Sequence, residues 1–289
     1  MIDIRSVVRR VGAAALSVLV AAGFVFSIVG AIYGGPMVGG EAGNRPLFIQ
    51  FFVYMGRFLT GNMGFSVTSG RGISVVIRES AGITANIILW SAGLAIVFGV
   101  GLGCLAAYRS WKRWNKLLTV TVGLLAAVPC FVLAAFLKTL IGVELGWVEL
   151  FAAGSIDYII PVISLAALPL TQIFLFTQNA VSENLSQNYV RMARANGVTE
   201  NRILINHGLR GAAPTVLANV GSTFAYIISG CLVIEGMFEI GGIGRAYVQA
   251  IRDRDYTLVC AVTIIFSVLL IIINAGCDIC GMLVSRRSE

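Results

Sequence analysis

Long uninterrupted apolar blocks constrain this chain more than anything else in it. They run at about 11–33, 83–108, 117–141, 156–176, 215–234 and 257–284. Roughly 20 consecutive apolar residues, rising about 1.5 Å each as a helix, reach across a hydrocarbon core of about 30 Å. In that medium a backbone must satisfy its own hydrogen bonds, which a helix does within one segment. Only 12% of residues are charged, 57% are hydrophobic and the mean hydropathy is +0.88. A soluble domain carries roughly twice that charged fraction. The expectation is an all-α polytopic membrane protein with six transmembrane helices.

The blocks divide the chain. Residues 1–34 form a first transmembrane helix behind Arg5, Arg9 and Arg10. Its apolar run is too long for a signal-peptide core and has no A-x-A end, so it reads as an uncleaved span. Residues 35–82 form an extracytoplasmic loop with Gly34-Gly35-Pro36 at its start; its apolar stretch 48–59 is too short to cross and predicts an interfacial or re-entrant helix. Residues 83–284 form a five-helix core that includes a polar segment at 182–214, and 285–289 form a tail. Pro129 in the third block predicts a kink, and Pro161 and Pro169 give the fourth the same capacity.

The basic residues set the orientation. Arg109, Lys112, Arg113 and Lys116 crowd the short loop after the second block, where Trp111 and Trp114 suit a membrane interface. Together with the three N-terminal arginines, Arg191, Arg194, Arg202 and Arg210 in the polar segment, and Arg286 and Arg287 in the tail, one side holds 13 of the 21 Lys and Arg. The positive-inside rule puts that side, with both termini and 182–214, in the cytoplasm.

The segment 182–214 is the longest polar stretch after residue 82. Tyr189, Val190, Met192 and Ala193 give a first short helix an apolar side, and Gly197 suits a left-handed position just past its end. Thr199 and Glu200 then suit the start of a second helix, whose apolar residues recur at helical spacing until Pro214. Two short helices and a break at a membrane surface form a socket for another protein.

Enzyme chemistry finds little support. There is no G-x-x-x-x-G-K-[ST], the three lysines (112, 116 and 138) lie in no such context, and no HExxH occurs. The only histidine, His207, has no nucleophile elbow to serve. The segment 191–207 has the outline of a DNA-binding helix-turn-helix, but both its ends run straight into apolar blocks and it has no recognition helix rich in base-reading side chains. No nucleic-acid partner, metal or cofactor is expected. The six cysteines fall largely within apolar blocks and read as small buried residues, Cys277-Asp278-Ile279-Cys280 included. The glycine row 99–103 reads as a close helix contact. Glu235, Asp278, Asn86 and Asn274 are polar groups in or beside apolar blocks; they either face a translocation pathway or gate, or pair structurally.

A resemblance joins these pieces. Tyr189-Val190-Arg191, Ala193-Arg194-Ala195, Gly197, His207, Leu209-Arg210 and Pro214 resemble the EAA loop of ABC-transporter permeases of the dipeptide/oligopeptide/nickel importer family. Gly61-Asn62-Met63-Gly64-Phe65-Ser66, Pro129, Phe131 and Pro161 agree in order, as do the run 235–244 from Glu235 to Gly244, the run 252–256 from Arg252 to Tyr256, and Asp278. The similarity covers about residues 47–284. Asn196, Gly211 and Asn62 depart from the usual Lys, Asn and Asp, and Thr177-Gln178-Asn179 and Val284-Ser285-Arg286 also differ, which bears on substrate more than on fold. The resemblance implies a type I ABC importer-like permease with cytoplasmic coupling helices. It further implies a second homologous permease, two cytoplasmic ATP-binding subunits that hydrolyse the ATP, and an extracytoplasmic substrate-binding protein. The external loop 239–256 suits docking of that protein, or an amphipathic helix at an external gate. Di- or oligopeptides are the implied solute, with nickel or a metal–chelator complex as the alternative and a non-transporting membrane scaffold as a further one.

Overall fold

The computed structural model describes residues 4–33, 45–108, 112–141 and 158–285. The chain there folds as α1 (Ile4–Tyr33), α2 (Leu47–Leu59), α3 (Ile73–Ala107), α4 (Lys112–Ala126), α5 (Cys130–Thr139) and α6 (Ile159–Ser186). Then come α7 (Asn188–Ala195), α8 (Glu200–Ile203), a π-helical turn (Leu204–Leu209), α9 (Arg210–Met237), α10 (Ile243–Arg252) and α11 (Tyr256–Ser285). Among the described residues there is no strand, only an isolated bridge between Phe65 and Gly72. Gly34-Gly35-Pro36, Arg109, Trp111 and the tail from Arg286 lie outside the described residues, as does the side chain of Trp114.

Five runs are long and apolar enough to cross a membrane: Ala15–Ile32, Ile73–Ala107, Ile159–Ser186, Glu200–Met237 and Tyr256–Cys277. The pair α4–α5 makes a sixth when counted as one span. That matches the all-α, six-span expectation, with three local differences. The third block is broken instead of kinked: its two halves meet at 97°. The first half has ended by Val128, since a proline pushes the residue before it out of helical backbone and has no N–H to continue the ladder, and Pro129 itself is extended, with ψ of 142°, at the start of the second half. The second span begins at Ile73, ten residues before the apolar block does, since Arg78 and Glu79 interrupt the hydropathy without interrupting the helix. Pro214 does not end a helix: the run from Glu200 continues to Met237 and carries Pro214 inside α9.

The chain divides into two compact units, Met1–Asn86 with Glu235–Ala275, and Ile87–Ile234 with Gly276–Glu289. In the first, α2 turns Gln50, Phe51, Tyr54 and Met55 inward, a helical stripe that meets Ala22, Phe26 and Val29 of α1 and Cys260 and Ile264 of α11. Phe26 meets Phe51 edge-on at 5.6 Å. Phe48, Phe52 and Leu59 stay on the outer side, so both faces of the helix are apolar and aromatic.

In the second unit α6 is the central helix. A methyl group added at Gly103 would fall 2.7 Å from Thr177 and 2.8 Å from the Phe174 carbonyl, and one at Gly99 would fall 2.9 Å from Ile173. Gly101, on the other side of α3, meets nothing. The row is a close contact of α3 on α6, where small residues let backbones approach and dispersion replaces the hydrophobic effect. Helix α4 packs on the same helix through Val122 and Phe174, and the Thr171 hydroxyl donates to the Val122 carbonyl at 2.9 Å. All six cysteines are free thiols, but against the expectation only Cys231 and Cys260 are buried, and Cys280 is exposed.

Candidate functional site

The segment after α6 is built from the backbone outward. Helix α7 ends in a two-bond C-terminal closure: the Gly197 N–H donates to the Arg194 carbonyl at 3.0 Å and the Val198 N–H to the Ala193 carbonyl at 3.1 Å. This pattern needs a left-handed residue, and Gly197 supplies it at φ 79°. Thr199 holds the N-cap position of α8 in extended backbone, yet its side chain makes no capping bond. Its neighbour Glu200 is engaged elsewhere: the Arg194 guanidinium donates to it at 2.7 Å and 3.3 Å, tying α7 to α8 across the turn.

Burial sorts the residues of this segment. Val190 and Ile203 are fully buried and anchor α7 and α8. Tyr189, Met192 and Ile205 face outward, Met192 and Ile205 more than 60% exposed, beside the exposed Arg191 and Ala195. Ala193 is half-buried. The Tyr189 ring leans on His207 with centroids 5.8 Å apart. His207 sits in the π turn, where the Arg210 N–H reaches back five residues to the Ile205 carbonyl. Such turns insert one residue into a helix and collect at functional positions. The turn rests on α6, with Gly208 against Val181 and Leu185 and Gly211 against Asn184. A cavity of about 650 Å³ opens beside α7, lined by Asn115, Gln178, Ser182, Ser186, Arg191 and Arg194 among others. Arg191 has no ion-pair partner among the described residues, whereas Arg194 is committed to Glu200. Arg210 is exposed, and Pro214 is half-buried inside α9.

The other predicted polar residues do not converge on one another. Asn86 and Asn274 are exposed on the surfaces of α3 and α11. Asp278 falls on α11, and its side chain lies outside the described residues. Glu235 is fully buried near the end of α9, and its Oε2 accepts the Gly244 N–H at 2.6 Å. One residue earlier, the Ile243 N–H donates to Thr84 Oγ1 at 2.8 Å. The first turn of α10 is thus capped by side chains from α3 and α9, because its own N-cap position is Gly242, which has none. A methyl at Gly242 would fall on the Glu235 carboxylate, so glycine is required there for space.

Two residues outside the predicted set organise the far end of α10. Asp255 is fully buried and caps α11, accepting the Leu258 N–H at 3.2 Å through Oδ1. Its other oxygen takes the Ser66 hydroxyl at 2.5 Å and the Thr68 hydroxyl at 3.1 Å. Burial works against the charge of Asp255, and the hydrogen bonds from Ser66, the Leu258 and Val67 amides and Thr68 outweigh it, holding the carboxyl below its ordinary range. Ser66 and Asp255 both lie in runs that carry the family resemblance. An acidic residue directly before an apolar block is also a helix-start signal, and that signal could have found Asp255.

A set of long apolar helices joined through a polar surface segment defines a polytopic membrane protein. Residues 99–288 match the family described as the binding-protein-dependent transport system inner membrane component. The glutathione transport system permease proteins GsiC of Escherichia coli (strain K12), Salmonella typhimurium and Shigella flexneri serotype 5b are each 33% identical to this chain over 239 residues, which is 82% of this chain and 78% of theirs. The chain belongs to the binding-protein-dependent transport inner-membrane component family. It is a permease component of an ABC importer and a multi-pass inner-membrane protein.

Proposed function

We propose that this chain couples ATP-driven motion of separate ATP-binding subunits to alternating access for small peptides. It would work beside a second homologous permease and receive solute from an extracytoplasmic binding protein. The observation that carries the coupling half is the construction of α7 and α8: buried anchors at Val190 and Ile203 hold Tyr189, Met192 and Ile205 outward. Exposed apolar side chains on a rigid, anchored helix favour a protein partner. On α7, Arg191 is the cation open to an acidic group on that partner, because Arg194 already pairs with Glu200. Asn86 and Asn274, exposed on spans where lipid contact would be unfavourable, fit the second permease or the solute path. The basic side, with 182–214, faces the cytoplasm in this reading.

The coupling needs only that the two states of the ATP-binding pair prefer two orientations of this segment. Support for a peptide solute comes from the relatives, which are glutathione transport permeases; glutathione is a tripeptide with one γ-linkage. The test is ATP-dependent uptake by proteoliposomes holding the permease pair and the ATP-binding subunits, with binding protein outside. Labelled glutathione, dipeptides, oligopeptides and nickel are compared. Uptake of peptide that fails when Tyr189 and Met192 are both replaced by serine supports the reading. Uptake of nickel alone overturns the solute, and full uptake by the double variant overturns the docking face.

A further inference from the structure

Helix α10 is held at both ends by buried polar groups that come from elsewhere in the same compact unit. At its start, Glu235 takes the Gly244 N–H and Thr84 takes the Ile243 N–H. At its finish, the Asp255 N–H closes on the Ala250 carbonyl at 2.8 Å while the Asp255 side chain grips Ser66 and Thr68. Val248 packs where a methyl on Gly236 would sit, so the end of α9 and α10 are in direct contact. Outward, α10 shows Arg245, Gln249 and Arg252.

A buried acid near the end of a span invites a role in contacting solute. Its geometry argues for something else: its carboxylate is fully covered and aimed at the amides of a helix start, where the helix dipole favours negative charge. We propose that Glu235 is a positioning residue of the transport cycle. With Thr84 it fixes where α10 lies, and the first third of α3, the end of α9, the loop at Ser66 and the start of α11 then carry α10 as one body when the permease changes state. The inference rests on the permease reading for its functional half and on the hydrogen bonds alone for its structural half.

The test uses the full chain in lipid nanodiscs for amide hydrogen exchange, and the complete transporter in proteoliposomes for uptake. Glu235→Ala leaves a buried N–H without its acceptor, so exchange over residues 243–246 should quicken by about tenfold or more. Thr84→Val, nearly isosteric, should quicken it by about threefold to tenfold. Glu235→Gln keeps an acceptor oxygen and should stay within about threefold of wild type. In uptake, both cap-removing variants should lower the maximal rate with the solute KM unchanged, and Glu235→Gln should largely rescue it. Unchanged exchange in Glu235→Ala and Thr84→Val overturns the cap. A raised KM in Glu235→Gln with exchange still protected overturns positioning in favour of solute contact. Should Glu235→Ala fail to insert, Thr84→Val carries both arms. A failure of the permease reading would appear in wild-type uptake, leaving the exchange comparison intact.

Discussion

Two helix–turn–helix junctions in this chain use the same hydrogen bonds and differ in what holds them. After α7, the N–H groups of Gly197 and Val198 close on Arg194 and Ala193. After α10, those of Arg254 and Asp255 close on Ile251 and Ala250. The left-handed residue is Gly197 at φ 79° in the first and Arg254 at φ 57° in the second. Glycine takes that backbone freely, while a residue with a Cβ loses about 1–2 kcal/mol there. The second junction tolerates the strain because its next residue is Asp255, whose buried carboxylate joins two loops and a helix start. The first has only a half-exposed ion pair around it and an outward apolar face. One junction is comfortable by itself and open to a partner; the other is strained locally and fixed by its surroundings.

The comparison breaks first at Asp255. Asp255→Ala removes the acceptor for two hydroxyls and a helix-start amide, and should destabilise the protein by about 3 kcal/mol. Denaturation in detergent measures it, and a loss under about 1 kcal/mol would sink the claim that this network holds the junction. The pH dependence has a fixed sign. Because the folded carboxyl titrates below its ordinary range, its stabilisation is complete above about pH 4 and fades as the pH falls through the lowered value. Asp255→Asn should remove that acid-side slope.

Gly197→Val comes next. A methyl-bearing carbon there meets open space within this chain, so the strain is in the backbone alone, about 1–2 kcal/mol. Insertion should survive while solute-stimulated ATPase and uptake uncouple. Unchanged ATPase and uptake in vesicles would show that this turn transmits no force. Arg254→Gly should act oppositely, stabilising by about 1 kcal/mol as the left-handed strain is relieved; a loss of stability would mean the arginine side chain matters more than its backbone. The smallest effect belongs to Arg194 and Glu200, with side chains 27% and 43% exposed. A double-mutant cycle with Gln at each should give a coupling of about 0.5 kcal/mol, since solvent screens such pairs.

The sequence speaks clearly where one residue suffices. Gly197 reads as a left-handed stop because helix residues precede it and a polar helix start follows. The spacing of Gly99 and Gly103 reads as a close contact because both fall on one side of a span. What stayed illegible depends on partners far along the chain. The cap on α10 joins Thr84 to Ile243, 159 residues apart, and the N-cap position itself is a glycine that signals nothing. Pro129 and Pro214 have the same local chemistry, yet one stands at a 97° break and the other lies inside a continuous helix. The π turn packed on α6 precedes Pro214, while Pro129 is itself extended and opens a new helix, its carbonyl accepting the Val132 and Leu133 N–H groups. Packing decided between them, and packing is not written in a single residue.

The break at Pro129 also bears on how the protein is made. Its two pieces have 15 and 10 residues, so they rise about 22 Å and about 15 Å, and neither reaches through about 30 Å of hydrocarbon. A translocating channel that hands finished spans sideways into lipid would meet here a segment too short to be released as a regular helix. The Thr171 hydroxyl of α6 is the outside donor to the Val122 carbonyl, and α6 has not yet been synthesised when α4 and α5 emerge. Helix α6 follows both pieces in the chain and packs against each of them, so the surface that completes residues 112–139 is made after they are.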